Sequence, residues 1–141
     1  MGLHEYSIWQ NLNHPSIVRC SERSELWLSE DFAPTGKEVK ATALFMEYAS
    51  GGELYDYVKH GGAFKEDAAR LLVRQILHGV QHIHSYGIAH LDLKLDNIFV
   101  SSVADSANSS SLIKIGDFGL AAFTSWPFKE VITHFVGTKG Y

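Results

Sequence analysis

The chain has 141 residues, 45% hydrophobic and 20% charged, enough for one globular domain and unremarkable for a soluble protein. Its formal net charge of -4 gives no basic footprint for nucleic acid and no polybasic membrane anchor. A single cysteine, Cys20, excludes an internal disulfide framework and a cysteine-cluster zinc site and favours a reducing compartment. The sequence holds no apolar run long enough to span a bilayer, and Tyr6 stands where a myristoylation signal beginning Met1-Gly2 wants Ser or Thr. The expectation is an intracellular protein, cytoplasmic by default.

From the N-terminus, Leu3 to Leu12 has a helical pattern, and Ile17 to Arg19 begins an extended segment. The polar run Ser29 to Lys40, with Gly and Pro inside it, separates this from a strand over Ala43 to Tyr48. A short helix follows from Leu54 to Lys59, where Ser50-x-x-Glu53 fits a capping box. The longest helix is expected from Lys65 to Tyr86, with Glu66 and Asp67 in its first turn and Gly87 just past its end. Leu72, Ile76, Val80 and Ile83 form its core face. His78 and His82 lie four apart on it and could face one metal, but no H-E-x-x-H accompanies them, so no zinc site is assigned. Ser101 to Ser111, rich in Ser, Ala and Asn, reads as a disordered surface loop, and Leu112 to Ile115 as a strand.

The densest chemistry lies in His90-Leu91-Asp92-Leu93-Lys94-Leu95-Asp96-Asn97 and, further on, Asp117-Phe118-Gly119. Moving a phosphate from a metal-bound nucleotide to a hydroxyl demands mostly positioning and charge neutralisation. Asp92 can accept the hydroxyl proton, Lys94 can reach the same phosphate, and Asn97 and Asp117 offer the hard oxygen ligands that Mg2+ takes.

These two segments resemble the catalytic loop H-R-D-L-x-x-x-N and the D-F-G motif of protein kinases. The resemblance implies ATP and Mg2+ as cofactors, Asp92 as catalytic base, and Asn97 and Asp117 as metal ligands. Glu5, ten residues before Pro15, is similar to the helix glutamate that holds the ATP-binding lysine; spacing alone also fits a solvated carboxylate. Phe45 to Glu53 resembles the fifth strand and the hinge that hold adenine. Met46 is then the gatekeeper, the Glu47 carbonyl and Ala49 N–H bond the purine edge, and side-chain identity there matters little. Glu53 matches the ribose-contacting position, and Phe99 is counted with this nucleotide-binding set. His90 matches the histidine packed beneath the D-F-G phenylalanine, here Phe118. Gly119 through Thr138 and Tyr141 resembles an activation segment, and Lys94 with Thr138 points to serine/threonine protein substrates.

The implied fold is α+β: a remnant of the β-rich N-lobe with the hinge over residues 1–49, and the first half of the mainly helical C-lobe over 50–141. The sequence contains no Gly-rich loop, no V-A-I-K strand and no A-P-E, so it is expected to be a middle piece, inactive and poorly folded alone. Leu91 replaces the arginine that binds an activation-segment phosphate, and His134 aligns with the usual phosphosite, which suggests activity without that phosphorylation; Thr133 keeps the alternative open. Glu53 and Asp96 match positions that meet basic substrates, although solvated carboxylates explain them as well. A pseudokinase or scaffold without catalysis is the competing reading, and a decayed gene product a third. Asp92, Lys94, Asn97 and Asp117 are all present, which favours the enzyme.

Overall fold

The computed structural model describes residues 2–29, 37–101, 113–124 and 137–138. In chain order it has helix α1 (Gly2–Trp9), strands β1 (Cys20–Leu28) and β2 (Val39–Met46), helices α2 (Leu54–Gly61) and α3 (Glu66–Ser85), then strand β3 (Ile88–Ala89). A single 3-10 turn (Leu95–Asn97) leads into β4 (Ile98–Val100), followed by β5 (Ile113–Ile115) and β6 (Ala122–Phe123). The strands pair as three antiparallel two-stranded units: β1 with β2, β3 with β6, and β4 with β5.

Several of the expected boundaries move. The first helix ends at Trp9, where the chain turns so that Leu12 and Ile17, each 1% exposed, drop into the core. The second strand starts at Val39 and stops at Met46, because its register is dictated by β1, with Leu28 opposite Val39 and Cys20 opposite Met46. Ser50 does not cap α2: Glu53 is the N-cap residue, with extended backbone and no side-chain capping bond. Gly52 turns the chain at φ 76° just before it, and that turn carries Ser50 away from the helix start. The long helix is one residue shorter at each end than expected.

The principal core gathers Ile8, Trp9 and Leu12 from the first helical segment, Ile17, Val18 and Cys20 after it, Ile83 of α3, and Ile88, Ile115, Phe118 and Ala121. A second cluster of Leu54, Ile98 and Ile113 is joined to it by Ile76, which packs against both. The α3 face thus falls where its three-to-four spacing places it. Burying large side chains such as Trp9 and Phe118 contributes about 2–3 kcal/mol each.

Strand β5 ties the N-terminal part of the chain to the rest. Its Ile115 N–H donates to the Ser16 carbonyl and its carbonyl accepts from Val18 N–H, both at 2.9 Å, in a parallel bridge to Ile17. The Trp9 indole N–H donates to the Val18 carbonyl at 2.6 Å. These bonds set β5, and the Asp117 that follows it, against α1. Among the described residues, no helix is long and apolar enough to cross a membrane.

Candidate active site

The loop between β3 and β4 holds Asp92 from several sides. Asn97, 5% exposed, donates its amide N–H to the Asp92 carbonyl at 2.8 Å and to Asp92 Oδ2 at 3.1 Å. The Lys94 ammonium lies 2.9 Å from the same Oδ2. Thr138 donates both its backbone N–H (2.9 Å) and its hydroxyl (2.8 Å) to Asp92 Oδ1, and Lys94 Nζ also reaches that hydroxyl. Burial pushes the Asp92 carboxyl up, but the bonds from Lys94 and Thr138 outweigh it and hold the group at about 2. Asp92 therefore stays an anion at any ordinary pH. The same contact raises the Lys94 ammonium, keeping it charged.

His90 supports this loop from beneath. Its Nε2 lies 3.0 Å from the Gly116 carbonyl, and its Nδ1 accepts from Asp92 N–H at 3.3 Å. That pair of partners requires a neutral ring with the proton on Nε2, and burial, the largest influence on it, lowers its affinity for a second proton. The ring packs on Phe118 with centroids 4.9 Å apart, and Trp9 packs on the same Phe118 at 5.1 Å.

One residue, Gly116, separates β5 from Asp117, and its N–H bonds to the Asn97 carbonyl at 2.9 Å, so both candidate metal ligands start from one hydrogen-bonded corner. Leu91 and Asp117 have φ of 65° and 58°, a left-handed backbone unfavourable for side chains larger than glycine. Both sit inside the two motifs that the sequence singles out. Asp117 Oδ1 accepts from Gly119 N–H at 3.2 Å, and its carboxylate is exposed.

This donor set fits Mg2+. Since Asn97 turns its NH2 toward Asp92, its amide oxygen faces away, and the Asp117 carboxylate supplies a second hard oxygen. Glu5 is half-buried on α1; burial and the nearby Asp117 charge raise its carboxyl.

The hinge residues line a cavity of about 340 Å3 together with Val18, Phe99 and Glu53. Met46, Glu47 and Ala49 are on its wall. Phe99 is joined to Glu53 by a backbone bridge. A cavity of this size with apolar walls and backbone edges fits a planar heteroaromatic ring. Another of about 400 Å3 lies apart, among His14, His78 and His82. There His14 Nδ1 accepts from Ser16 N–H at 3.0 Å and stacks at 5.1 Å on His82. Among the described residues no three His, Cys, Asp or Glu side chains are arranged to hold a metal.

Two features escaped the sequence reading. Thr138 was read only as a marker of substrate type, whereas it bonds to Asp92 directly. Side-chain identity at Glu47 is expected to matter little, yet its carboxylate pairs with Lys114 at 2.8 Å. The lone cation of Ile113-Lys114-Ile115 was the available hint, since alternation in a strand turns it to the opposite face from two buried isoleucines. Thr133, His134, Leu112, Lys139, Tyr141 and nearly all of the Ser101–Ser111 run lie outside the described residues.

Comparison with known proteins agrees with this geometry. The protein kinase domain family model matches residues 2–141. The serine/threonine-protein kinase RAD53 of Saccharomyces cerevisiae is 41% identical over 83% of this chain, and SRK2I of Arabidopsis thaliana 40% over 94%. The chain spans 12% and 31% of their respective lengths. The crystal structure of the Rad53 kinase domain and SCD2 aligns with a TM-score of 0.65 at 38% identity, covering 86% of this chain and 40% of that one. The structure of the same pair in complex with AMPPNP aligns at 0.64. The chain belongs to the protein kinase domain family, and its relatives here are serine/threonine kinases.

Proposed function

We propose that this segment is the central part of a serine/threonine protein kinase that moves the terminal phosphate of ATP to a protein hydroxyl. The observation that carries the reading is the grip on Asp92. A threonine hydroxyl donates to its carboxylate at 2.8 Å while Lys94 donates to that same hydroxyl, so the space between base and cation admits an aliphatic alcohol.

Each side chain then has a distinct task. Asp92 orients the acceptor hydroxyl and takes its proton. Lys94 and Thr138 keep its carboxyl ionised and ready to accept a hydrogen bond from the acceptor. Lys94 holds positive charge where the moving phosphate gathers negative charge. Asn97 and Asp117 would hold Mg2+, which when bound neutralises phosphate oxygens. Met46, Ala49 and Phe99 enclose the base of the nucleotide, the backbone of Glu47 and Ala49 reads its edge, and Glu53 meets the ribose. Glu5 would hold the phosphate-contacting lysine that the family resemblance implies and that these 141 residues do not contain. Glu53 and Asp96 favour substrates with basic residues ahead of the acceptor. Residues 1–49 and 50–141 are the corresponding pieces of the two lobes.

The test is transfer of labelled terminal phosphate to a basic serine peptide by the full-length protein. Asp92→Asn is expected to lower kcat by roughly 10^2- to 10^4-fold with ATP still bound. Undiminished transfer by that variant would remove Asp92 from the chemistry, and ATP binding without any transfer by the wild type would favour a non-catalytic scaffold.

A further inference from the structure

The carboxylate of Glu47 is forked between two parts of the chain. Its Oε1 lies 2.8 Å from the Lys114 ammonium, and its Oε2 accepts from Arg19 N–H at 2.9 Å. The Glu47 backbone N–H meanwhile donates to the Arg19 carbonyl at 2.9 Å. Lys114 completes the arrangement by donating to the Pro15 carbonyl at 3.1 Å. The Lys114 side chain is only 15% exposed and that of Glu47 35%, so the pair is partly shielded from water. Lys114 lies three positions before Asp117 and is registered opposite Phe99. One ion pair thus connects the wall of the 340 Å3 cavity, the turn after α1 and the strand that delivers Asp117.

From this arrangement we propose that Glu47 and Lys114 are positioning residues that fix the nucleotide-reading edge of the hinge against β5. The proposal rests on the nucleotide-binding reading given above. Its physical basis is that recognition of a purine edge by the Glu47 carbonyl and Ala49 N–H depends on backbone placement, and β2 has already ended at Met46. Beyond that strand end one backbone bond to Arg19 remains, and the Glu47 side chain adds two further restraints, to Arg19 N–H and to Lys114. Holding the edge in its binding position before the nucleotide arrives removes an ordering cost from binding. Because the restraint acts on the edge and not on the phosphate, its loss falls on ATP affinity rather than on turnover.

The experiment compares full-length wild type with Glu47→Gln, Lys114→Gln, the double variant, Lys114→Arg, and a control. Glu47→Gln removes the charge but leaves an oxygen to accept from Arg19 N–H. The control is Glu25→Gln, which breaks the exposed Glu25–Lys40 pair far along the hairpin. Binding of a fluorescent ATP analogue is measured directly, and KM for ATP and kcat with a peptide acceptor are measured alongside. The expected result is a rise of about three- to tenfold in Kd and KM in either single Gln variant. The double variant should be no worse than the singles, Lys114→Arg should recover most of the loss, and Glu25→Gln should match wild type. Unchanged Kd in Glu47→Gln, strictly additive effects, or a fall in kcat at constant KM would each overturn the proposal. Should Glu47→Gln fail to fold, the Lys114→Gln and Lys114→Arg pair carries the same comparison. A wild type that binds no nucleotide would sink the kinase reading itself, whereas a binding wild type with indifferent variants would sink only the clamp.

Discussion

Asp92 and His90 are neighbours that both lose stability on acidification, in different pH windows. The Asp92 carboxyl, held at about 2 against an ordinary 3.8, contributes stability that is present above pH 3.8 and disappears only as the pH falls through about 2. His90 sits below its ordinary 6.5 because burial disfavours its charged form. The unfolded chain therefore binds a proton that the folded one refuses, and stability declines as the pH drops below about 6.5. His14, lowered chiefly by burial and then by His82 and His78, with Lys114 also contributing, adds to the same trend. We expect His90→Phe in the full-length protein to keep the packing on Phe118 yet lose about 2 kcal/mol, since the buried Gly116 carbonyl forfeits its donor. The variant should also show a shallower acid-side loss, read from denaturation midpoints between pH 5 and 7. An unchanged slope would mean that His90 does not set it. At this scale the sequence was most legible where partners are close along the chain, as for His90, Asp92 and Asn97. Thr138 reaches Asp92 across 46 positions, and no local pattern announces such a contact.

Among the elements, α3 displayed its buried face openly, because Leu72, Ile76, Val80 and Ile83 repeat at helical spacing. Its glycine was not interpretable from the pattern. Gly79 is buried where a Cβ would come within 2.8 Å of Ile115 Cδ1 and 3.1 Å of the Ser16 carbonyl. A glycine within a helix ordinarily costs about 1 kcal/mol relative to alanine; here it admits the Ser16–Ile115 contact that joins the turn to β5. Gly79→Val should destabilise the full-length protein by about 2–3 kcal/mol, because the branched side chain must displace a backbone carbonyl already bonded to Ile115 N–H. Chemical denaturation measures this, and a neutral substitution would show that the helix can move away. Strand limits were harder to foresee than the helix, since β2 takes its ends from pairing with β1 and not from its own composition.

Across the molecule, the surface is apolar in several places: Trp27 is 68% exposed, Tyr48 88% and Leu77 60%, with Leu71 and Val73 also open. Such groups in one small body favour association. We expect the 141 residues expressed alone to bind a hydrophobic dye and unfold without a sharp transition, whereas a steep cooperative melt would establish self-sufficiency. The two-lobed family was legible because its chemical motifs are ordered along the chain, while the surfaces left uncovered emerge only after folding. One further consequence follows from the β4–β5 pair. Asn97 and Gly116 close one end of it with a hydrogen bond, and Val100 faces Ile113 at the other. The stretch of chain between Val100 and Ile113 departs from the end remote from Asn97 and Asp117. A change in the length or composition of that stretch enters the hairpin at Val100 and Ile113 and leaves the Asn97–Gly116 end paired, so novelty and inheritance can occupy opposite ends of one short hairpin.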